Sequence, residues 1–267
     1  MSSWLQSLLM FSLLFSGSLL AQERQDSTAY IAIIIDDMGH HLHRGERAIE
    51  LPAMLTYSIL PHTEYARVLA EMAHQGGKEV MLHMPMANLG EKPLGPGGLT
   101  PHLTEQEFYR TLDRAIQQVP HLKGVNNHMG SQLTQQNQQM NWLMAELKQR
   151  QLYFIDSRTT ANTVALNVAK ARHLQASSRD VFLDNDQTFT GIDEAFKALL
   201  AKAHRDGTGI AIAHPYPATL DYLTQAIPEL AQQAVEVISV SALLKRQHAQ
   251  NLRGALGTRS ANFSAVE

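Results

Sequence analysis

The stretch YIAIIIDDMG at residues 30–39 is a continuous apolar run that ends in two adjacent carboxylates, Asp36 and Asp37. A short run without polar alternation is typical of a strand that is buried on both faces of a parallel sheet. In a dinucleotide-binding sheet, a glycine-rich GxGxxG turn follows the first strand. Here two aspartates stand at that place. The stretch therefore predicts a parallel α/β fold in which the acidic side chains at the end of the first strand belong to a functional site.

Similar apolar runs recur along the chain and alternate with amphipathic segments of helical spacing. Strands are predicted at residues 30–35, 54–60, 79–82, 124–126, 152–155, 180–183, 209–213 and 235–240. Helices are predicted at 138–149, 161–172 and 193–205, and after Thr104, which forms a capping-box pattern with Glu107. About eight such units without a linker predict a closed, single-domain β/α barrel, with an open doubly wound sheet as the alternative.

The composition excludes several classes of protein. The chain has 267 residues, 22 Lys and Arg against 25 Asp and Glu, a formal net charge of -3 and no cysteine. A chain of this length can form a full hydrophobic core without disulfides. Its slightly negative charge gives no basic field to gather nucleic acid, so we expect no nucleic-acid partner.

The two ends of the chain differ from its middle. Residues 1–21 contain no charged side chain and are rich in Leu, Met and Phe. This segment predicts a secretory signal peptide cleaved near Ala21, and hence a periplasmic or secreted protein; an uncleaved membrane anchor is the alternative. We expect the barrel to occupy residues 28–245 and the polar, aperiodic residues 246–267 to form a disordered tail.

Polar side chains follow seven successive predicted strands, and the carboxyl ends of parallel barrel strands meet at one face. They are Asp36 and Asp37, His62, His83, Asn127 and His128, Asp156 and Arg158, Asp184 and Asp186, and His214. Asp and Asn also end strands through turn chemistry, and we assign Asp184 and Asp186 to turns. The full set nevertheless predicts an active site at this face of the barrel.

The residue types at these strand ends favour metal-dependent hydrolysis. One Asp and two His from different strands form a ligand set for Zn²⁺ or a similar divalent ion. We expect His83 to be a ligand and His214 to be a general acid. Asp36 and Asp37 are consecutive and should point to opposite sides of the strand, so that one could bind the metal and the other act as a base. The chain contains no Cys, GxSxG or HExxH, which argues against a nucleophilic triad or a zincin.

Three further residues are predicted to support the site. Asn127 stands beside His128, where an apolar strand gives way to polar residues. Asp156 and Arg158 follow the next strand and form either a positioned pair that tunes a neighbour or an ordinary ion pair.

Six motifs, taken together and in order over about residues 30–245, resemble the divergent polysaccharide deacetylase family. They are IIIDDMG at 33–39, HMPM at 83–86, GPG at 95–97, NHMGS at 127–131, FIDSRT at 154–159 and AHP at 213–215. The resemblance implies the NodB-type fold, a distorted seven-stranded β/α barrel in which residues 235–240 are peripheral or closing. It also implies metal-dependent removal of acyl groups from the amino sugars of a glycan.

The resemblance assigns individual roles. It implies that Asp36 is the base, Asp37 a metal ligand and His214 the catalytic acid. Mainstream deacetylases take two metal histidines from one HxxxH segment, but no second histidine lies four residues after His83. We infer that His128 supplies the missing ligand.

Two other functions fit the same sequence. The first is a catalytically silent glycan-binding or envelope-scaffold protein that keeps the barrel. The second is a barrel hydrolase that acts on a different amide or ester.

Overall fold

The computed structural model describes residues 28–263 of the chain, with side chains up to residue 252. The expected signal peptide at 1–21 and the last four residues lie outside the described residues. Among the helices of the described part, none combines the length and the apolar composition needed to cross a membrane.

The described residues form one parallel sheet of nine strands. They are β1 (Ala29–Met38), β2 (Thr56–Ile59), β3 (Glu79–Met86), β4 (Leu122–Met129), β5 (Tyr153–Asp156), β6 (Ala176–Ser178), β7 (Val181–Phe182), β8 (Thr208–Ala213) and β9 (Val235–Val237). The strand order is β6-β5-β4-β3-β2-β1-β8-β7, with β9 beside β1.

The two ends of this sheet are joined by one short stretch of chain. β6 pairs with β5, and β7, which begins only three residues after β6 ends, pairs with β8. Counted as one interrupted strand, β6 and β7 close a distorted barrel of seven strands, which confirms the expected single-domain NodB-type architecture. β9 pairs with Ala29–Ile31 of β1 and is peripheral, as expected.

Eight helices accompany the strands in the described residues. They are α1 (Leu42–Ile49), α2 (Ala66–Gln75), α3 (Glu105–Gln118), α4 (Asn137–Gln149), α5 (Ala165–Ala171), α6 (Phe189–Asp206), α7 (Pro217–Glu229) and α8 (Val240–Phe263). The capping box before α3 is confirmed, because Thr104 N–H donates to Glu107 Oε2 at 2.9 Å and Glu107 N–H donates to Thr104 Oγ1 at 3.4 Å. Helices α1, α2 and α7 lie where no helix is predicted from the sequence.

Alternation along the strands separates two hydrophobic regions. In β1, Ile31, Ile33 and Ile35 belong to the large cluster shared with the surrounding helices. Ala32 and Ile34 belong to a smaller cluster that includes residues of β3, β5 and β8 and lies inside the barrel. Asp36 is the next inward-facing position of β1, so the barrel interior becomes polar towards the carboxyl ends of the strands.

The expectation of a disordered tail from Arg246 onwards differs from the structure, in which α8 continues to Phe263. The first turns of α8 are fixed because Val240, Leu243 and Leu244 pack into the interior cluster. The buried Glu79 also accepts a hydrogen bond from Ser241 N–H at 3.0 Å, and a carboxylate at a helix N-terminus is stabilising. Because the later residues of α8 are polar and aperiodic, their sequence pattern does not predict a helix.

The amino end of the barrel contains a position where only glycine fits. A Cβ on Gly124 would lie 2.2 Å from Cε2 of the buried Tyr153. We expect Gly124→Ala to lower the free energy of unfolding in urea by about 1–3 kcal/mol, because the added methyl group overpacks the barrel.

Gly90→Ala is the matched control, since its Cβ would lie 3.6 Å from the nearest atom, Asn88 Oδ1. We expect this control to change the stability by less than about 0.5 kcal/mol. Equal unfolding midpoints for the two variants would contradict the packing described here.

Candidate metal centre and active site

Three predicted site residues converge at the carboxyl end of the barrel. Asp37 Oδ1 lies 3.2 Å from His83 Nε2 and 3.0 Å from His128 Nδ1. The two imidazole nitrogens lie 3.1 Å apart, which completes a triangle of nearly equal sides. Asp37, His83 and His128 are the group of His and acidic side chains in the described residues that could hold a metal ion.

The triangle has the size expected for one face of a metal coordination sphere. Ligand atoms at about 2.0–2.2 Å from a tetrahedral Zn²⁺ lie roughly 3.3–3.6 Å apart, only slightly farther than these three atoms. Asp37 Oδ1 is buried and lies within 3.2 Å of both imidazole nitrogens, yet by geometric criteria it has no hydrogen-bond partner among the described residues. A buried carboxylate oxygen without a donor, beside two imidazole nitrogens, fits a divalent cation.

The backbone at Asp37 explains how two consecutive aspartates reach the same site. Asp37 adopts φ 54°, a left-handed conformation that is uncommon for a residue other than glycine, and the pairing of β1 with β2 is irregular at this point. The expectation that Asp36 and Asp37 point to opposite sides is therefore wrong. Asp36 Oδ2 lies 3.5 Å from the same His83 Nε2 that approaches Asp37.

The carboxylates at the site differ in their environment. Asp36 is 2% exposed, and its burial raises its pKa. Burial also disfavours the charged form of Asp37, but the nearby His128 and His83 outweigh this effect and hold the pKa of Asp37 well below its usual range. Asp36 is therefore the better proton acceptor near neutral pH, and Asp37 remains a carboxylate.

His214 lies beside this cluster and is held by a carboxylate from the neighbouring strand end. Its Nδ1 is 2.9 Å from Asp184 Oδ1, and its Nε2 is 3.8 Å from Asp37 Oδ2. The backbone N–H of His214 and the hydroxyl of Thr219 both donate to Asp184 Oδ2. Burial disfavours the imidazolium, but Asp184 and the two site aspartates raise the pKa of His214 to about 9.

The three supporting residues predicted from sequence do not join the cluster. Asn127 donates to Met129 O and accepts from Ser157 N–H, so that it fixes a turn between two strand ends. Asp156 accepts from the backbone N–H of Arg158 and from Thr163 Oγ1. The side chain of Arg158 is exposed, and within the described chain it forms no ion pair with Asp156. The alternation of side chains along β4 explains why Asn127 lies outside the cluster. Its two neighbours, Asn126 and His128, face inward, and Asn127 therefore faces the other side.

Asn126 and Asp184 contact predicted site residues, although the sequence predicted neither contact. Asn126 touches Asp36 and His83, and the period of two from His128 could have identified it. Asp184 was assigned to a turn, but it instead orients His214. No sequence signal distinguishes Asp184 from the nearby Asp186, which caps its own turn at Thr188 N–H.

Comparisons with known proteins identify the family of the chain. The model of the divergent polysaccharide deacetylase family matches residues 33–244. Protein YibQ of Escherichia coli (strain K12) is 36% identical over 228 residues, which are 85% of this chain and 71% of YibQ. The chain therefore belongs to the divergent polysaccharide deacetylase family.

Solved structures show the same fold. The crystal structure of protein ATU2773 from Agrobacterium tumefaciens C58 is similar with a TM-score of 0.78 and 23% identity, over 81% of this chain and 89% of that one. A structure of T48 deacetylase with substrate has a TM-score of 0.53 and 12% identity, over 82% of this chain and 92% of that one. These likenesses confirm the barrel fold.

The contact between Asp184 and His214 predicts a measurable titration. In the metal-free protein, we expect the pKa of His214 to be about 9 in an NMR titration. Asp184→Asn should lower this pKa towards the ordinary value of 6.5, because the carboxylate that favours the imidazolium is removed.

Asp186→Asn is the control, since Asp186 is exposed and caps Thr188 instead of contacting His214. This variant should leave the pKa of His214 at about 9. An unchanged His214 titration in Asp184→Asn would show that Asp184 does not set the charge of this imidazole.

Proposed function

We propose that the protein is an exported, metal-dependent hydrolase that removes acyl groups from amino sugars of a cell-envelope or extracellular glycan. The observation that carries this proposal is the triangle of Asp37, His83 and His128, with Asp36 and His214 in contact with it. Family membership supports the chemistry of deacylation. The apolar segment at residues 1–21 supports export as a cleaved signal peptide.

Asp37, His83 and His128 would hold the metal, and Zn²⁺ suits a set of one carboxylate and two imidazoles. When bound, a divalent cation of this kind supplies Lewis-acid chemistry, which polarises a carbonyl and favours the attack of water near neutral pH.

Asp36 would act as the general base. Its Oδ1 accepts a hydrogen bond from Asn126 Nδ2 at 2.8 Å, which leaves Oδ2 facing His83 and the ligand triangle. Because burial raises the pKa of Asp36, this oxygen accepts the proton of the attacking water more readily than an exposed carboxylate does.

His214 would act as the general acid. With a pKa of about 9 it is protonated at neutral pH, and because Nδ1 faces Asp184, the proton available to substrate is on Nε2. That proton passes to the leaving amine when the bond between acyl carbon and nitrogen breaks. The balanced reaction consumes one water and an acylated amine and yields a carboxylate and a free amino sugar.

The site also fits a second function, a catalytically silent glycan-binding or envelope-scaffold protein. Such a protein keeps the barrel and the metal site but releases no acyl product. The observation that favours the hydrolase is the buried pairing of His214 with Asp184, because it holds an acid in the charged form beside the ligand triangle.

Metal analysis and acetate release from the purified mature domain separate these functions. We expect about one equivalent of zinc after supplementation and acetate release from an acetylated chito-oligosaccharide or acetylated peptidoglycan. Asp37→Asn should lose zinc and activity together, because a ligand is weakened. Asp36→Asn should retain zinc and lose about 10²–10⁴-fold in rate, because only the base is removed.

Asp186→Asn serves as the matched control and should retain both zinc and activity, since its side chain lies outside the cluster. Zinc binding without acetate release from either substrate would contradict the hydrolase and favour the silent glycan-binding protein. A wild-type protein that binds no metal would contradict the metal centre.

A further inference from the structure

Asn126 contacts Asp36, the proposed base, and His83, a proposed metal ligand. The sequence predicted no role for Asn126 itself. We propose that Asn126 is a positioning residue that sets the tautomer of His83 and the orientation of Asp36. This inference deepens the proposed function, because it concerns how the same site is held ready for metal and substrate.

The contacts of Asn126 are short and fully enclosed. Asn126 and Ser58 are both 0% exposed. Asn126 Oδ1 lies 2.6 Å from Ser58 Oγ and 2.7 Å from His83 Nδ1, and Asn126 Nδ2 lies 2.8 Å from Asp36 Oδ1. One amide group therefore links three strands, β2, β3 and β1, from its own position on β4.

Donor and acceptor chemistry fixes the direction of these bonds. The amide nitrogen faces the carboxylate oxygen of Asp36, so Nδ2 donates and Oδ1 is the end that faces His83. An amide oxygen only accepts, and His83 Nδ1 must therefore carry a hydrogen. In the neutral ring this leaves the lone pair on Nε2, the atom that faces Asp37 and His128.

The same amide selects which oxygen of Asp36 can react. Asp36 Oδ1 accepts from Asn126, whereas Oδ2 is the oxygen 3.5 Å from His83 Nε2. The Asn126 side chain thus orients His83, a proposed metal ligand, and Asp36, the proposed base, towards the same point. Groups that orient a metal-bound imidazole through its second nitrogen typically contribute about 10–100-fold to metal affinity.

Two substitutions separate the two contacts. Asn126→Ala removes both, so we expect zinc affinity, measured by competition with a chelator, to fall about 10–100-fold. Asn126→Asp has the same shape and still accepts from His83 Nδ1, but it places a second carboxyl group against Asp36, so that the two share a proton and Asp36 is no longer a free base. This variant should retain the His83 tautomer and zinc affinity, and on an acetylated chito-oligosaccharide its kcat should fall with little change in KM.

Asn127→Ala is the matched control, because the adjacent amide fixes a turn and does not contact Asp36 or His83. It should bind zinc within about threefold of the wild-type protein. Ser58→Ala removes only the outer hydrogen bond to Asn126 and should give a smaller loss of zinc affinity than Asn126→Ala. Nitrogen-15 NMR of the metal-free proteins, recorded at a pH at which the His83 ring is neutral, reports the His83 tautomer directly, and circular dichroism reports whether each variant folds.

The outcomes distinguish this inference from the proposed function. If Asn126→Ala folds, binds zinc as tightly as the wild-type protein and keeps the Nδ1–H tautomer of His83, the positioning role is overturned even when the enzyme is active. If Asn126→Ala fails to fold, Asn126→Asp and Ser58→Ala decide the matter through the same readouts. If the wild-type protein binds zinc but deacetylates nothing, the proposed function fails, whereas the zinc and NMR results still test Asn126.

Discussion

The site depends on the left-handed backbone at Asp37. In a regular strand Asp36 would face the barrel interior and Asp37 the surrounding helices, where a lone carboxylate would be costly to bury. With φ 54°, Asp37 instead turns to the same side as Asp36. Two carboxylates then share a small volume with two imidazoles, and this arrangement compensates the buried charges and gives the triangle its ligand character.

Inside the barrel, apolar and polar side chains occupy separate layers along the barrel axis. Its middle is apolar, with Ile34, Met81 and Ile212 among the residues that pack together. The next inward positions on the same strands are Asp36, His83 and His214, so the apolar layer supports the polar one from below. The amino end is closed by α8, whose first residues pack against the same apolar layer. The polar groups at the carboxyl end thus lie on a buried apolar layer, which helps to fix their positions.

The sequence predicted five residues that the structure brings together at the carboxyl end of the barrel, but not the residues that hold them. Asp37, His83 and His128 were expected to be ligands and are brought together, and Asp36 and His214 lie beside them. Asn127, Asp156 and Arg158 were expected to support the site, but their strand positions turn them to backbone groups or to solvent. A polar residue at a strand end gives the same sequence pattern whether its side chain faces inward or caps a turn. For that reason the sequence did not identify Asn126 and Asp184 as residues that orient the site.

The sequence by itself determined the parallel β/α architecture, the face of the barrel that carries the site and the family of the chain. These follow from local patterns: apolar runs of strand length, the capping box before α3, and polar residues at successive strand ends. Only the tertiary structure decided that β6 and β7 close the barrel as one interrupted strand, that α8 covers its amino end, and that Asn126 rather than Asn127 contacts Asp36. Those features depend on register, on one unusual φ angle and on contacts between residues far apart in the chain, such as Asn126 and Asp36 at 90 positions and Ser241 and Glu79 at 162, which no local pattern encodes.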